Sequence, residues 1–342
     1  MIAASRLVAG ALCLLLVACD TQNPPTPPQP TLTQTEPASP SRPPSLTPGP
    51  TGAAPSPTLA PTGSPTSSPS SEPSGDLLVT KTVPYATEGA CGTRVKECQQ
   101  FVDVYAPAEA GPWPVVLMIH GRPRTPADMV ELARAVALGG AVVFNADYRG
   151  VRPVEQKGWP IAIEDVACAM RFVRANAATY GGDASRIVLV GHSFGGYVGT
   201  LIALDGDAFD GDCLVHEGSA LPSAWIGIDG NCLVGVPPPA HPLWSVFYGG
   251  SVDQKPQVWE EGDPLEHLGG NPGLVVRMIH ERDDPIVDII QPRTLVRELR
   301  DGGYDASLTV IEGDDHWGPL DLDAHAGEVS RDVILDVLGI DD

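Results

Sequence analysis

A strand, a tight turn and a helix follow one another without a spacer in the middle of this 342-residue chain. Ile187–Val190 is an unbroken apolar run, typical of a strand that is buried on both faces of a parallel sheet. Phe194–Leu204 has the small and apolar residues of a helix that packs on such a sheet. Between them lies Gly-His-Ser-Phe-Gly, in which Gly191 and Gly195 leave room for the strand and the helix to approach each other. The junction predicts a strained turn that exposes a nucleophilic serine, Ser193.

The histidine that would activate this serine is predicted near the end of the chain. A serine hydroxyl is a poor nucleophile near neutral pH, so it needs an adjacent base and a carboxylate that orients the base. His316 follows the last strand-like segment, Ser307–Ile311, and precedes a final helix with an apolar stripe. It is therefore the predicted base, while His192, beside the nucleophile on the turn, is expected to point away and pack. The stripe comprises Val329, Val333, Val337 and Ile340.

The orienting carboxylate is predicted after the strand-like segment Gly273–Ile279. Parallel strands present their carboxyl ends on one side of a sheet, so an acid here would face the same rim as the serine. Asp284 is the first choice, with the neighbouring Asp283 as an alternative. Asp229, which follows the strand-like run 224–228, is a more distant alternative.

Another buried strand pattern, Trp113–His120, ends in His-Gly-Arg at positions 120–122. This ending resembles the HG-type oxyanion loop of α/β-hydrolases. The resemblance implies that the backbone amides of Arg122 and Phe194 hold the oxyanion formed during acyl transfer, and that His120 shapes the loop. Arg122, Pro123 and Arg124 stand where related enzymes often carry further glycines, which is a departure from the family pattern.

Over Thr80–Asp342 the chain resembles serine hydrolases of the α/β-hydrolase fold, and it is similar to the carboxylesterase and acetylesterase-like branch that includes feruloyl-esterase-like members. Asp284 with Val287 three positions later fits the family pattern for the acid, and the order Ser, Asp, His is the order expected on this fold. Further segments that carry the resemblance are 145–150, 159–160, 164–166, 171–177, 180–183 and 186–187.

The fold expected from these patterns is α/β, with a doubly wound and mostly parallel sheet. Crossover helices are predicted at Pro126–Gly139, Pro160–Tyr180 and Phe194–Leu204. Residues 205–270 are expected to contain a core strand at Trp225 and a lid or loop insertion over the pocket. Four aromatic residues of this region either line the pocket or only pack the insertion; they are Trp244, Phe247, Tyr248 and Trp259.

The expected activity is hydrolysis of a small carboxylic ester through an acyl-enzyme on Ser193, with protein groups and water as the only participants. No diffusible cofactor and no metal is expected, since no metal-ligand spacing occurs among the cysteines and histidines. Gly-His-Ser-Phe-Gly-Gly-Tyr is also similar to prolyl-oligopeptidase-type peptidases, so a peptidase is one alternative. A non-catalytic surface-binding protein on a hydrolase scaffold is the other.

The first residues predict export. Residues 1–18 have one positive charge, Arg6, and an apolar stretch too short to span a bilayer, which is the shape of a signal peptide. Leu-Val-Ala-Cys at 16–19 resembles the lipobox of bacterial lipoproteins, and this implies a lipid-modified Cys19 on the extracytoplasmic face of the cell membrane. Ordinary secretion is the alternative. Residues 19–76, rich in Pro, Thr and Ser, are predicted to be a disordered linker before a single domain at 77–342.

Charge and cysteine content add two expectations. The formal net charge of −22 opposes nucleic-acid binding. Export permits disulfides, and five of the seven cysteines lie within the predicted domain. The preferred pairs are Cys91 with Cys98 and Cys213 with Cys232, which leaves Cys168 as a buried free thiol on a helix. The oligomeric state has no sequence signal.

Overall fold

A computed structural model describes residues 75–86, 100–150, 158–235 and 242–340. The predictions for the signal peptide, for Cys19, for the linker up to residue 74 and for the Cys91–Cys98 pair lie outside these residues. The described strands form one sheet of eight, in the order β1-β2-β4-β3-β5-β6-β7-β8. Their bounds are β1 Leu77–Pro84, β2 Phe101–Pro107, β3 Trp113–Ile119, β4 Val142–Ala146, β5 Gly182–His192, β6 Ala224–Ile228, β7 Val275–Glu281 and β8 Asp305–Ile311.

The sheet is mostly parallel. β1 pairs with β2, and β2 with β4, in the antiparallel sense, whereas all pairs from β4 through β3 to β8 are parallel. The strand order reverses at β3, because the chain builds β4 on one side of β3 and β5 on the other. The loops after β3 and β5 therefore start beside each other, and such a reversal is where open α/β sheets bind their ligands.

Helices cover both faces of the sheet. A short 3-10 turn, Pro126–Met129, leads into the first helix, and another, Ala177–Tyr180, ends the second. The first three helices coincide with the predicted crossover helices. The helices are α1 Val130–Leu138, α2 Ile161–Asn176, α3 Phe194–Asp205, α4 Pro242–Tyr248, α5 Pro256–Glu261, α6 Ile290–Asp301 and α7 His325–Leu338.

Two hydrophobic clusters lie on opposite faces, and β3 shows how the sequence separates them. Its alternate residues Val115 and Leu117 belong to the cluster that contains α2, α3 and α6, and Val116 and Met118 to the cluster that contains α1 and α7. A strand packed on both faces is apolar throughout, which explains the unbroken runs in the sequence. On α7 the predicted valine stripe is half-buried against the second cluster, and the buried face is made mainly by Ala326, Ser330, Ile334 and Leu338.

The region 205–270 contains the expected core strand, β6, with Trp225 buried. Trp244, Phe247 and Tyr248 of α4 are also buried, and their rings contact Phe194 and Tyr197 of α3 or one another; Trp259 of α5 is partly buried and contacts Tyr248. These aromatic side chains therefore pack α4 and α5 onto the helix that follows Ser193. Within the residues described above, no helix is both long enough and apolar enough to cross a membrane.

The predicted pairing of Cys213 with Cys232 is wrong. Cys213 forms a disulfide with Cys168 of α2, with a Cα–Cα separation of 5.0 Å, and Cys232 is a buried free thiol. The Cys232 sulfur instead donates a hydrogen bond to the carbonyl of Gly230, 3.0 Å away. Cys213 and Cys232 are near each other in sequence, but the fold brings the loop after α3 back to α2, across a separation of 45 residues.

Candidate active site

Ser193 occupies the turn between β5 and α3 with φ 55° and ψ −118°, a backbone conformation that non-glycine residues rarely adopt. The glycines on either side are required by close approach. A Cβ added at Gly191 would lie 2.5 Å from the carbonyl oxygen of Gly195, and one at Gly195 would lie 2.8 Å from the carbonyl oxygens of Ile119 and His120. The Gly-x-Ser-x-Gly sequence thus allows β3, β5 and α3 to meet around one strained serine.

The structure brings Ser193, His316 and Asp284 together in one hydrogen-bonded series. The Ser193 hydroxyl donates to Nε2 of His316 over 2.8 Å, and Nδ1 of His316 donates to Oδ2 of Asp284 over 2.7 Å. All three residues are buried. The three residues follow β5, β8 and β7, three strands of the parallel part of the sheet whose carboxyl ends face one rim. This geometry can transfer a proton from a hydroxyl to an imidazole that a carboxylate holds in place.

The environment of Asp284 favours its ionised form. Burial raises the pKa of its carboxyl group, but the hydrogen bond from His316 and those from two backbone amides outweigh burial, so the pKa lies below its usual value. The amides belong to Ile286 and Val287, which donate to Oδ1 over 2.8 and 3.1 Å. A turn of the backbone therefore holds one oxygen of the carboxylate while the other oxygen faces His316.

Of the two alternative acids, Asp283 is exposed, and Asp229 is fully buried on the loop after β6. Oδ1 of Asp229 accepts a hydrogen bond of 2.8 Å from the amide of Glu281. A carboxylate oxygen of Asp229 and ring nitrogens of His192 and His316 all lie within 4.8 Å of one another. Asp284 thus makes the direct hydrogen bond to His316. Asp229 lies close to the His316 ring, but no hydrogen bond between them is seen among the described residues.

Two residues hold the loop that carries His316. Glu281 accepts a hydrogen bond from the amide of Asp315, and a Cβ added at Gly313 or Gly318 would come within 2.8 Å of its carboxylate. His192 does more than pack, because its Nε2 donates to the carbonyl oxygen of His316 over 2.8 Å. Glu281 was missed from the sequence, although two glycines flanking His316 are a signal of close approach.

His192 remains neutral beside the candidate base. Burial and the nearby His316 lower the pKa of His192 to about 3, which outweighs the bond to the His316 carbonyl. An uncharged imidazole in this position adds no positive charge next to His316 when His316 takes up a proton. Its ring centroid lies 4.8 Å from those of both His316 and Trp317, so it also packs the base loop.

The loop after β3 lies against the serine. A Cβ added at Gly121 would be 2.7 Å from the Cβ of Ser193. The ring nitrogens of His120 lie 2.9 Å from the carbonyl oxygen of Gly121 and 3.0 Å from Oδ1 of Asp147, and the Tyr148 hydroxyl donates to the carbonyl of His120 over 2.6 Å. His120 therefore shapes this loop, in the way that the sequence predicts.

The two residues expected to supply oxyanion donors adjoin this contact. Arg122 follows Gly121 directly and is partly buried. Phe194 is the first residue of α3, where intrahelical bonding leaves the amide unpaired. At the outer rim, the Arg124 guanidinium lies 3.8 Å from the centre of the Trp317 ring and pairs with Asp128 over 3.1 Å.

Comparisons of sequence connect the chain with known esterases. The BD-FAE family matches residues 102–230. Esterase LipC of Mycobacterium tuberculosis is 30% identical over 190 residues, which cover 53% of this chain and 45% of LipC. Carboxylesterase NlhH of the same organism is 38% identical over 94 residues, which cover 26% of this chain and 28% of NlhH. The chain thus spans less than half the length of these curated relatives.

Comparisons of structure extend over most of the described fold. A truncated form of a carbohydrate esterase from gut microbiota has a TM-score of 0.64 and 19% identity, covering 77% of this chain and 95% of that one. Esterase B from Lactobacillus rhamnosis has a TM-score of 0.62 and 15% identity, covering 77% of this chain and 85% of that one. The fold is the α/β-hydrolase fold, and the fold predicted from the sequence is confirmed.

Proposed function

We propose that this chain, on its α/β-hydrolase fold, is a serine hydrolase that cleaves carboxylic esters. The observation that carries the proposal is the hydrogen-bonded series of Ser193, His316 and Asp284, in which Ser193 occupies a strained turn. The esterase names of the relatives and the match to the BD-FAE family support the same chemistry.

In the proposed reaction the Ser193 oxygen attacks the ester carbonyl carbon while its proton passes to Nε2 of His316. Asp284, already ionised, stabilises the imidazolium that forms. The carbonyl oxygen becomes an oxyanion and accepts hydrogen bonds from the amides of Arg122 and Phe194. The carbon–oxygen bond to the alcohol then breaks, and His316 returns the proton to the departing alcohol. An acyl group remains on Ser193.

The second half of the cycle uses water as the nucleophile. His316 takes a proton from the water, the water oxygen attacks the acyl carbon, and the bond to Ser193 breaks as His316 protonates the serine oxygen. The products are a carboxylic acid and an alcohol, and the enzyme returns to its starting state. Each proposed step uses only groups of the chain, water and the ester. The proposed substrates are therefore a small ester and water.

The test is hydrolysis of a graded panel of esters, including p-nitrophenyl acetate and butyrate, acetylated sugars and methyl ferulate. We expect Ser193→Ala to lower kcat/KM for the preferred ester by about three orders of magnitude or more, because the nucleophile is lost. Ser185→Ala, at an exposed serine on β5, is the matched control. Retention of most of the wild-type rate in the Ser193 variant, or absence of hydrolysis across the panel, contradicts the proposal.

No observation favours the peptidase or the binding protein over the esterase. All strands of the described residues belong to a single sheet, so the propeller that prolyl-oligopeptidase-type enzymes usually carry does not occur among them. Turnover of peptide p-nitroanilides in place of esters would favour a peptidase. Specific binding without turnover of either class would favour a binding protein.

We also propose that the chain is lipid-anchored through Cys19 on the extracytoplasmic face of the cell membrane. The apolar stretch before Leu-Val-Ala-Cys and the Pro-rich segment after it support this location. Metabolic labelling with palmitate should mark the wild-type protein. Cell fractionation should recover the labelled protein with the membranes. Cys19→Ala should lose the label, whereas Cys13→Ala should keep it. Unlabelled wild-type protein in the medium would instead indicate ordinary secretion.

A further inference from the structure

Asp229 is a buried carboxyl group that the proposed reaction does not use. Its φ of 42° is in the left-handed region, which is unfavourable for a residue with a side chain and persists only where the surroundings impose it. The backbone amide donates to the carbonyl of Ile279 over 3.0 Å, and Oδ1 accepts from the amide of Glu281 over 2.8 Å. Among the described residues, Oδ2 has no hydrogen-bond partner although it is buried. A polar atom in this state requires an explanation.

Three imidazoles surround the carboxyl group of Asp229. Nδ1 of His280 lies 3.5 Å from Oδ1, and the other nitrogen of this ring donates to the carbonyl of Val287 over 2.8 Å and lies 3.7 Å from Oδ2 of Asp284. The rings of His192 and His316 each bring a nitrogen within 4.8 Å of an Asp229 oxygen. Nδ1 of His192 and Nδ1 of His280 are, like Oδ2 of Asp229, without a partner among the described residues. Three buried polar atoms without a partner thus belong to Asp229 and to two of the histidines beside it.

The surroundings keep Asp229 uncharged at neutral pH. Burial raises its pKa to about 8 against the opposing bond from the Glu281 amide, and the charges of Asp284, Glu281 and Asp315 add to the rise. The imidazoles of His192 and His280 are neutral as well, since burial lowers the pKa of each. A neutral Asp229 does not compete with Asp284 for the His316 proton.

We propose that Asp229 is a second positioning residue for His316, which orients the imidazole from the β6 side when the carboxylate of Asp284 is absent. The inference rests on the proposed function, because it concerns the same base. The geometry carries it: the carboxyl group is fully buried, one of its oxygens has no partner among the described residues, and a carboxylate oxygen lies within 4.8 Å of a ring nitrogen of His316. Asp229 acts through His316 and touches no reacting atom.

The proposal predicts a dependence on pH that a structural role would not produce. With Asp284 absent, only an ionised Asp229 can accept the imidazole proton, so activity should rise as Asp229 loses its proton. Loss of the Asp284 charge also lowers the pKa of Asp229, so the rise should come at or below pH of about 8. The native enzyme, in which Asp284 is ionised throughout this range, should not show this rise.

The experiment is a double-mutant cycle on kcat/KM for p-nitrophenyl acetate, between about pH 6 and pH 10. It compares wild type, Asp284→Ala, Asp229→Asn and the double variant. At alkaline pH we expect Asp229→Asn to lower kcat/KM in both backgrounds. The fold-decrease in the Asp284→Ala background should be about ten times the fold-decrease in the native background. We also expect the alkaline rise of Asp284→Ala to be lost in the double variant.

A parallel cycle with Asp284→Asn keeps the test valid if the alanine variant does not fold. Asp283→Asn, at the exposed neighbour, is the matched control and should show no coupling in either background. An equal factor for Asp229→Asn in both backgrounds, or an alkaline rise that survives in the double variant, overturns the role of Asp229. Either result leaves the proposed function intact, since that depends on the comparison of wild type with Ser193→Ala.

Discussion

The backbone of Gly121 lies so close to Ser193 that a methyl group added at Gly121 would be 2.7 Å from the serine Cβ and 3.3 Å from its Oγ. The two residues come from loops after neighbouring strands, β3 and β5. The candidate oxyanion loop and the candidate nucleophile are thus built as one packed unit. The relative position of the loop and the serine depends on the sheet and on two close backbone contacts that leave no room for a side chain, at Gly121 and at Gly195.

Gly121→Ala should separate the loop from the serine. The added methyl would also lie 3.2 Å from the carbonyl oxygen of His192, so the loop must shift by several tenths of an ångström. We expect kcat/KM to fall by about 100-fold, because displacements on this scale disrupt the alignment of nucleophile and oxyanion donors. Gly273→Ala, where an added Cβ meets nothing within 4 Å, is the control. Equal activity of the two variants would contradict the packed arrangement.

Asp284→Asn should lower kcat/KM at neutral pH by about three to four orders of magnitude. The asparagine keeps the shape of the side chain, but it loses the charge that stabilises the imidazolium and can hold His316 in the wrong tautomer. Asp283→Asn should stay within about twofold of wild type, since Asp283 is exposed. The reverse ranking of these two variants would assign the acid to Asp283.

His192→Gln should change how stability depends on pH. His192 has a pKa of about 3 in the folded protein and about 6.5 when unfolded, so the unfolded state binds more protons between these values. The wild-type protein therefore loses stability as pH falls through this window, by an amount on the order of 4 kcal/mol from this group. The variant should lose less, measured by urea unfolding at a series of pH values.

The exposed His325→Gln is the control for this measurement, and it should follow the wild-type curve. Identical acid dependence of wild type and His192→Gln would show that His192 is not buried in its neutral form.

Removal of the Cys168–Cys213 disulfide should destabilise the domain. The bond closes a loop with a sequence separation of 45, for which chain entropy gives about 4 kcal/mol of stabilisation. We expect Cys168→Ala, and reduction of the wild-type protein, to lower the free energy of unfolding by about 2–4 kcal/mol. Cys232→Ala should remain sensitive to reductant, because its thiol is free. Insensitivity of this variant would restore the Cys213–Cys232 pairing.

The local patterns predicted the parts of this protein that local physics determines. Unbroken apolar runs at 113–119 and 187–190 predicted two central strands, since only strands buried on both faces are apolar throughout. The glycines around Ser193 predicted the turn. The order of Ser193, Asp284 and His316 after three strand-like runs predicted that they would meet at one rim, and their side chains lie in hydrogen-bonding contact.

Features that depend on long-range packing had a weaker local signal or none. Cys168 lies on an apolar helical face. The apolar periodicity of this helix is the same whether the Cys168 thiol is free or bonded to a residue from a distant loop. Glu281 and His192 act on the His316 loop through contacts that arise only after β5, β7 and β8 have assembled. The antiparallel strand β1 was not predicted, because it is largely exposed at the edge of the sheet and has no clear buried face.

Reaction of the folded protein with a fluorophosphonate tests the central claim most directly, because the probe reacts covalently with a serine that a neighbouring base activates. Mass spectrometry should find a single adduct per chain on the peptide that contains Ser193. The labelling rate should fall by about three orders of magnitude in His316→Ala, and urea-unfolded protein should not be labelled. Absence of the adduct, an adduct on another serine, or an unchanged rate without His316 would contradict the proposed catalytic assembly.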